Sequence, residues 1–239
     1  MLPIKAVLFD LDDTLWPIVP LIVHAEKTLY AWMAHQAPGV VRQFTIESLR
    51  ARRSALMLEN PNFQIDLWAL RHAGLTEAFI ASGENAALVD GAMAVFAKAR
   101  NEVALFADVV PALERLGTSF RLGTISNGFA DLHTIGLNHH FRVSLAAHRF
   151  GLAKPDSAIF HAACDALGVA PAEAVYVGDD LALDVEGAQK AGMRAVWMNR
   201  FDRTAPAAIC PDGTCASLDE LEEWLRASPG GEPHLAHNG

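Results

Sequence analysis

With 239 residues, 51% of them hydrophobic and 20% charged, the chain has the composition of an ordinary globular protein. This length accommodates one large core, or a core with a smaller insertion. The net charge of −9 argues against nucleic acid and anionic membranes as partners, because acidic surfaces repel both. No apolar run approaches the ~18 residues that span a bilayer. Charges at Lys5 and Asp10 leave no room for a secretory signal, so we expect a cytoplasmic protein.

Short apolar runs of four to six residues, bounded by turn-forming residues such as Gly, Asn and Asp, recur along the chain. They predict strands buried on both faces of a parallel sheet, at residues 4–9, 120–125, 143–147, 174–177 and 194–198. Between them lie helical patterns at residues 110–116, 131–137, 157–167 and 183–191. This alternation is typical of a doubly wound, mostly parallel, Rossmann-like α/β domain.

Residues 16–100 interrupt that rhythm with helical spacing and no convincing strand. We therefore predict an α/β core formed by residues 1–15 and 101–227, a helical insertion at 16–100, and a disordered tail at 228–239. The insertion carries eight basic and seven acidic side chains, so the acidic charge belongs to the core. Arg50 and Arg53 fall on one helical face, where an anionic substrate could meet them, but the pattern favours a solvated face.

Polar motifs follow four of these segments, and ligands of open parallel sheets bind at the carboxyl ends of the strands. The motifs are DLDDT at 10–14, SNG at 126–128, KP at 154–155, and GDD at 178–180 with Asp184. Any one of them alone is ordinary turn or helix-capping chemistry. Their joint occurrence, in this order and at strand ends, indicates a catalytic site.

In order and spacing, FDLDDTL, TISNG, GLAKPD and VGDDLALD resemble the four motifs of the haloacid dehalogenase-like hydrolase superfamily. The resemblance covers the whole chain except the tail. The insertion resembles the helical cap of the branch whose cap follows the first motif directly. This resemblance implies a phosphatase acting on small phosphorylated metabolites.

The motifs would bring Asp10, Asp12, Asp179 and Asp184 together with Lys154 as the one obvious cation. Such a crowd of carboxylates needs neutralisation, and Mg²⁺ is the hard, oxygen-seeking ion that suits it. The resemblance implies that Asp10 and Asp179 bind the ion through carboxylates and Asp12 through its main-chain carbonyl. It places Asp184 farther out, acting through water or on the ligands themselves.

The resemblance also implies catalytic roles in the first motif. Asp10 would attack phosphorus and form an aspartyl-phosphate, which divides one hard displacement into two easier ones. Asp12 would protonate the departing alkoxide and then, once ionised, activate the water that cleaves the intermediate. Thr14 would hydrogen-bond locally and fix the loop.

The other motifs would hold the phosphoryl group. Ser126 offers a hydroxyl and Asn127 an amide to its oxygens, and Lys154 offers a positive charge to them and to Asp10. Pro155 disfavours helical geometry at Lys154.

Other functions are compatible with the same motifs. A 2-haloacid dehalogenase would use Asp10 against carbon without a metal, but dehalogenases of the family lack an acid at the position of Asp12. A phosphomutase is poorly separated from a hydrolase. A non-catalytic phospho-accepting module of the receiver type would be about half as long and without the insertion. The protein is expected to be a monomer or a homodimer.

Overall fold

The computed structural model describes residues 2–204 and 208–228. The chain divides into two compact units. The sheet unit comprises Met1–Pro17, Leu105–Ser126 and Gly136–Gly239, and the helical unit comprises Ile18–Ala104 and Asn127–Ile135. The predicted tail lies outside the described residues, apart from Ser228. Among the described helices, none is both long and apolar enough to cross a membrane.

Six parallel strands form one sheet in the order β3-β2-β1-β4-β5-β6. The strands are β1 (Ala6–Phe9), β2 (Arg121–Ser126), β3 (Val143–Ala146), β4 (Ala174–Gly178), β5 (Arg194–Met198) and β6 (Gly213–Cys215). Every residue of β1 and β4 is buried, as expected for strands covered on both faces. This confirms the predicted doubly wound α/β fold. The sequence analysis missed β6, whose three residues form too short a run for a periodicity to emerge.

The register of the central strands aligns their carboxyl ends. Phe9, the last residue of β1, pairs with Thr124 on β2 and with Val177 on β4. The backbone N–H of Asp10 continues this ladder by donating to the carbonyl of Val177 at 2.8 Å. The segments that follow β1, β2 and β4 therefore start at the same edge of the sheet.

The helical unit contains α1 to α5 and the short α7. Their bounds are α1 (Ile18–Gln36), α2 (Pro38–Gln43), α3 (Ile46–Glu59), α4 (Leu67–Ala81), α5 (Val89–Arg100) and α7 (Leu132–Ile135). Thr45 is the N-cap of α3: its side chain accepts from the backbone N–H of Ser48, and the side chain of Ser48 accepts from the backbone N–H of Thr45. Asp66 caps α4 by accepting from the backbone N–H of Ala69 at 2.8 Å. Such caps satisfy backbone donors that the first helical turn leaves unpaired.

Residues 127–135 belong to the helical unit, although the sequence analysis placed them with the core. The ring of Phe129 accounts for this difference, because it packs edge-on against Trp68 at 5.5 Å and against Phe96 at 6.2 Å, measured between ring centroids. The predicted helix at 131–137 is shorter than expected. Gly136, with φ of 89°, takes a backbone conformation that ends the helix after Ile135.

The remaining helices belong to the sheet unit. They are α6 (Val109–Gly117), α8 (Ala147–Phe150), α9 (Ser157–Leu167), α10 (Gly187–Lys190) and α11 (Leu218–Ala227). A π-helical turn at Leu181–Glu186 precedes α10, where a continuous helix was predicted. Asp180 accepts hydrogen bonds from the backbone N–H groups of Ala182 and Leu183 and so caps this turn.

A buried arginine fixes the loop after β1. Arg200 donates through Nε to the carbonyl oxygen of Thr14 at 2.8 Å, and its other two nitrogens each lie 3.0 Å from a carboxylate oxygen of Asp108. Asp108 also accepts from the backbone N–H of Leu218 at the start of α11 at 2.6 Å. Bidentate pairs of this kind are geometrically specific, so the conformation of residues 10–16 is tied to the outer part of the sheet unit.

Candidate active site

Four predicted residues, Asp10, Lys154, Asp179 and Asp184, meet at the carboxyl edge of the sheet. Asp10 directly follows β1 and Asp179 directly follows β4, whereas Asp184 lies in the π-helical turn. Carboxylate oxygens of the three aspartates all lie within 4.8 Å of one another. Asp10 therefore forms one acidic cluster with two aspartates from the far end of the sheet unit's sequence.

The ammonium group of Lys154 lies at the centre of the site. Its Nζ donates to Oδ1 of Asp10 at 2.5 Å, to Oδ1 of Asp184 at 2.6 Å and to the hydroxyl of Tyr176 at 3.0 Å. The Tyr176 hydroxyl in turn donates to the carbonyl of Ile125 at 2.9 Å. All three donors of the ammonium are used, which fixes Lys154 in position despite its long side chain.

Sequence reasoning missed Tyr176. It reads as one more apolar residue of a buried strand, and no signal in the sequence distinguishes its hydroxyl. Only the packing of β4 beside β1 brings that hydroxyl under Lys154.

The site carries more negative than positive charge. Burial raises the pKa of Asp10 well above its usual range, and Asp184 and Asp12 raise it further, although the Lys154 ammonium opposes them. Burial also raises the pKa of Asp179 to about 6. Burial alone would lower the pKa of Lys154, but the charges of Asp10 and Asp184 hold it well above its usual value. One ammonium thus neutralises only part of the acidic cluster.

This donor set fits a hard divalent cation. Asp10 and Asp179 offer carboxylate oxygens, which Mg²⁺ prefers as ligands. Both oxygens of Asp184 are already engaged, Oδ1 with Lys154 and Oδ2 with the backbone N–H of Asp180 at 2.9 Å. Asp184 is therefore better placed to orient its neighbours than to give up an oxygen to the ion.

Asp12 lies beside the cluster and is held by an indole. The Trp16 side chain is fully buried. Its Nε1 donates to Oδ1 of Asp12 at 2.8 Å. Asp13 between them has φ of 57°, a left-handed conformation that Asp tolerates. Its backbone N–H donates to the carbonyl of Trp16 at 2.7 Å. The DLDDT motif is thus a tight turn that directs the Asp12 carboxylate towards Trp16.

Asp179 has two partners that the sequence analysis did not identify. Trp197 donates its indole N–H to the carbonyl of Asp179 at 2.8 Å. Arg203 donates to Oδ2 of Asp179, also at 2.8 Å. These contacts fix the backbone and one carboxylate oxygen, so the position of Asp179 does not depend on the acidic cluster alone.

The other predicted residues are placed as follows. Ser126 is buried as the last residue of β2, and Asn127 is the first residue of the second segment of the helical unit. Thr14 is fully buried. Its backbone N–H donates locally to the carbonyl of Leu11 at 3.3 Å, whereas its Oγ1 has no partner among the described residues. Thr14 contributes through its backbone instead, because its carbonyl accepts from Arg200.

The close approach of Asp184 requires a glycine at position 178. A Cβ atom at Gly178 would lie 2.3 Å from Oδ2 of Asp184, so Gly178→Ala must displace that carboxylate. We expect Gly178→Ala to lower the free energy of unfolding by about 1–3 kcal/mol, measured by urea denaturation. Gly117→Ala is the matched control, because its Cβ would meet Leu122 at an ordinary 3.8 Å. Equal stability of the Gly178 variant and the wild type would contradict this account.

Comparisons with known proteins agree with this geometry. Residues 4–192 match the model of the haloacid dehalogenase-like hydrolase family. The chain is 33% identical to the 5-amino-6-(5-phospho-D-ribitylamino)uracil phosphatase YigB of Escherichia coli, over 82% of this chain and 83% of that protein. It is 30% identical to the phosphoserine phosphatase of Thermus thermophilus, over 91% and 97%.

Solved structures show the same fold. A 2-haloacid dehalogenase from Pseudomonas syringae aligns with a TM-score of 0.87 and 41% identity, covering 93% of this chain and 98% of that one. A phosphatase of the superfamily from Thermococcus onnurineus aligns with a TM-score of 0.69 and 27% identity, covering 96% and 100%. The predicted resemblance is confirmed: the chain is an enzyme of the haloacid dehalogenase-like hydrolase family.

Proposed function

We propose that the protein is a magnesium-dependent phosphomonoester hydrolase that acts on a small phosphorylated metabolite through an aspartyl-phosphate on Asp10. The observation that carries this proposal is the acidic cluster around Lys154. Its excess of negative charge suits a divalent cation, and its one ammonium contacts the proposed nucleophile directly. The names of the curated relatives, among them the two phosphatases above, support the same reaction class.

Asp10 is held for attack rather than free to rotate. Lys154 accounts for Oδ1 of Asp10, and the N–H of Asp10 is part of the β1–β4 ladder. A nucleophile fixed in this way loses little entropy when it meets phosphorus. The Lys154 ammonium also supplies positive charge where the phosphoryl oxygens gather. A bound Mg²⁺ would add further positive charge at Asp10 and Asp179.

Asp12 is the proposed acid for the leaving group. The Trp16 indole fixes one of its oxygens and so orients the carboxyl group for proton transfer. The same carboxylate, once ionised, would take a proton from the water that releases phosphate from Asp10. Ser126 and Asn127 are proposed to bind the phosphoryl oxygens, and Lys154 to attract them through its positive charge.

The second candidate is 2-haloacid dehalogenation, which the 41% identity to the Pseudomonas syringae dehalogenase favours. That reaction needs neither a metal nor an acid at position 12. A carboxylate at position 12 with its own hydrogen-bond donor is better explained by proton transfer to an alkoxide. Assays for phosphate release from phosphomonoesters and for chloride release from 2-chloropropionate separate the two candidates.

Asp10→Asn tests the nucleophile. We expect the variant to lose phosphatase activity by at least about a thousandfold and to remain folded, because it removes one charge from a crowded acidic site. The assay is phosphate release in Mg²⁺ from a panel that includes phosphoserine and glyceraldehyde 3-phosphate. Asp180→Asn, which changes a helix cap beside the cluster, is the control and should retain most activity. Near-wild-type turnover by Asp10→Asn would refute the mechanism.

Metal dependence and its variation with pH follow from the raised pKa of Asp179. Its pKa of about 6 in the folded protein lies above the 3.8 that is usual for an aspartate. Protonation of Asp179 therefore stabilises the folded, metal-free protein. This stabilisation is complete below pH ~4 and is lost as the pH rises through ~6. Because Mg²⁺ needs the ionised carboxylate, calorimetry should show about tenfold weaker binding at pH 5 than at pH 7.5. EDTA should abolish turnover, and unchanged activity in EDTA would favour dehalogenation.

Trp16→Phe tests the positioning of Asp12. Loss of one hydrogen bond to a carboxylate is worth about 1.5–3 kcal/mol, so we expect kcat for an alkyl phosphate to fall by about tenfold or more. The effect on p-nitrophenyl phosphate should be much smaller, because its leaving group departs without an acid. Equal losses on both substrates would indicate that Trp16 supports the fold rather than Asp12.

A further inference from the structure

A second cation besides Lys154 contacts the acidic cluster of the sheet unit. Arg203 lies in the loop after β5, and its Nη2 donates to Oδ2 of Asp179 at 2.8 Å. The same nitrogen lies 3.2 Å from the backbone carbonyl oxygen of Asp179, which serves as a second acceptor. A proposed metal ligand therefore already carries a positively charged partner.

Little besides Asp179 holds the Arg203 side chain. It is 43% exposed, whereas the side chain of Asp179 is 14% exposed. Among the described residues, Nε and Nη1 of Arg203 have no hydrogen-bond acceptor. The guanidinium carbon lies 5.8 Å from the centre of the Phe201 ring, which is close to the ~6 Å limit of a cation–π contact. A single nitrogen thus makes all the hydrogen bonds of this ion pair.

The backbone of Arg203 is anchored independently of its side chain. Its N–H donates to Oδ1 of Asn199 at 2.8 Å, and Nδ2 of Asn199 donates to its carbonyl at 2.9 Å. The N–H of Asn199 in turn donates to the carbonyl of Cys215, the last residue of β6, at 2.8 Å. The guanidinium can therefore leave Asp179 by side-chain rotation alone, without any movement of the loop.

Asp179 keeps its backbone position without the ion pair. It directly follows β4, and its carbonyl accepts from Nε1 of Trp197 on β5 at 2.8 Å. Because Trp197 is buried, this hydrogen bond is shielded from competing water. The main effect of Arg203 is therefore on the charge of the Asp179 carboxylate and not on the course of the chain.

Two other arginines show what a permanent ion pair looks like in this protein. The side chain of Arg200 is 5% exposed, and all three of its nitrogens have acceptors. The predicted solvated face was wrong for Arg53 of the helical unit. Its side chain is only 16% exposed because it donates to the buried carboxylate of Glu26. Arg203 has neither the burial nor the full set of acceptors of these two arginines.

We propose that Arg203 is an exchangeable counter-ion of the metal site: it pairs with Asp179 in the metal-free protein and leaves that carboxylate when Mg²⁺ binds. The proposal rests on the metal dependence put forward under the proposed function. A guanidinium bonded to a ligand carboxylate repels a dication on the same group, and the partial burial of Asp179 leaves little water to screen the repulsion. Arg203 thus competes with the ion, and the affinity for Mg²⁺ is lower than the carboxylates alone would give.

Magnesium binding in the absence of substrate is the first test. Mg²⁺ is titrated by calorimetry into the full-length wild type, Arg203→Met and Arg226→Met at pH 8, well above the pKa of about 6 of Asp179. Arg226→Met is the matched control, because Arg226 on α11 is likewise an exposed arginine paired with one carboxylate, that of Glu222. We expect Arg203→Met to bind Mg²⁺ at least about threefold more tightly than the wild type, and Arg226→Met to bind it like the wild type.

Two further variants complete this titration. Arg203→Lys keeps the positive charge and should bind Mg²⁺ like the wild type, whereas Arg203→Gln removes the charge and replaces Arg203→Met if that variant does not fold. Weaker binding by the neutral variants would make Arg203 a positioning residue of the metal site and overturn the exchange, as would unchanged binding. A wild type that binds no Mg²⁺ would overturn the exchange and the metal-dependent hydrolysis together. Mg²⁺ binding that does not respond to Arg203 overturns the exchange alone.

Thermal unfolding with and without the ion separates exchange from a structural role. In EDTA, Arg203→Met should unfold at a lower temperature than the wild type, because the partly buried Asp179 loses its counter-ion. In saturating Mg²⁺ the two proteins should unfold at the same temperature, because Arg203 then pairs with Asp179 in neither. Equal destabilisation of the variant under both conditions would show that the ion pair persists beside the bound ion, which contradicts the proposal.

Discussion

The contact of the Lys154 ammonium with Asp10 and Asp184 is the interaction on which the candidate active site of the sheet unit depends. It joins the end of β1, the loop before α9 and the π-helical turn after β4 through one nitrogen atom. All three side chains are buried, so each charge loses hydration that only the other charges can replace. Removal of any one of them would leave an uncompensated charge in the interior, and their geometry is correspondingly constrained.

That constraint extends to residues that perform no chemistry. Tyr176 uses its hydroxyl to take the third donor of Lys154, and Gly178 leaves the space in which the Asp184 carboxylate lies. Arg200 holds the backbone of the first motif through the carbonyl of Thr14. A catalytic site built from charged groups needs such support, because small displacements change Coulomb energies strongly when solvent is excluded.

The two units of the chain contain opposite charge imbalances. In the sheet unit the three clustered carboxylates outnumber their two cations, Lys154 and Arg203. In the helical unit the guanidinium groups of Arg50, Arg53 and Arg71 lie around the single carboxylate of Glu26. The first imbalance suits a divalent cation. Both charge imbalances depart from the one-to-one pairing of opposite charges that stability alone would favour. Such departures are expected where binding and stability compete.

The sequence by itself determined five of the six described strands, the helical insertion, and the members of the acidic cluster. Apolar runs that end in polar motifs carry that information locally, and parallel strands bring their carboxyl ends to one edge. Only the tertiary structure decided which oxygen each group uses and which neighbours support it. Tyr176 and Arg203 look like ordinary strand and loop residues in the sequence. Their roles depend on contacts between residues far apart in the chain, and hydrophobic periodicity contains no record of those distances.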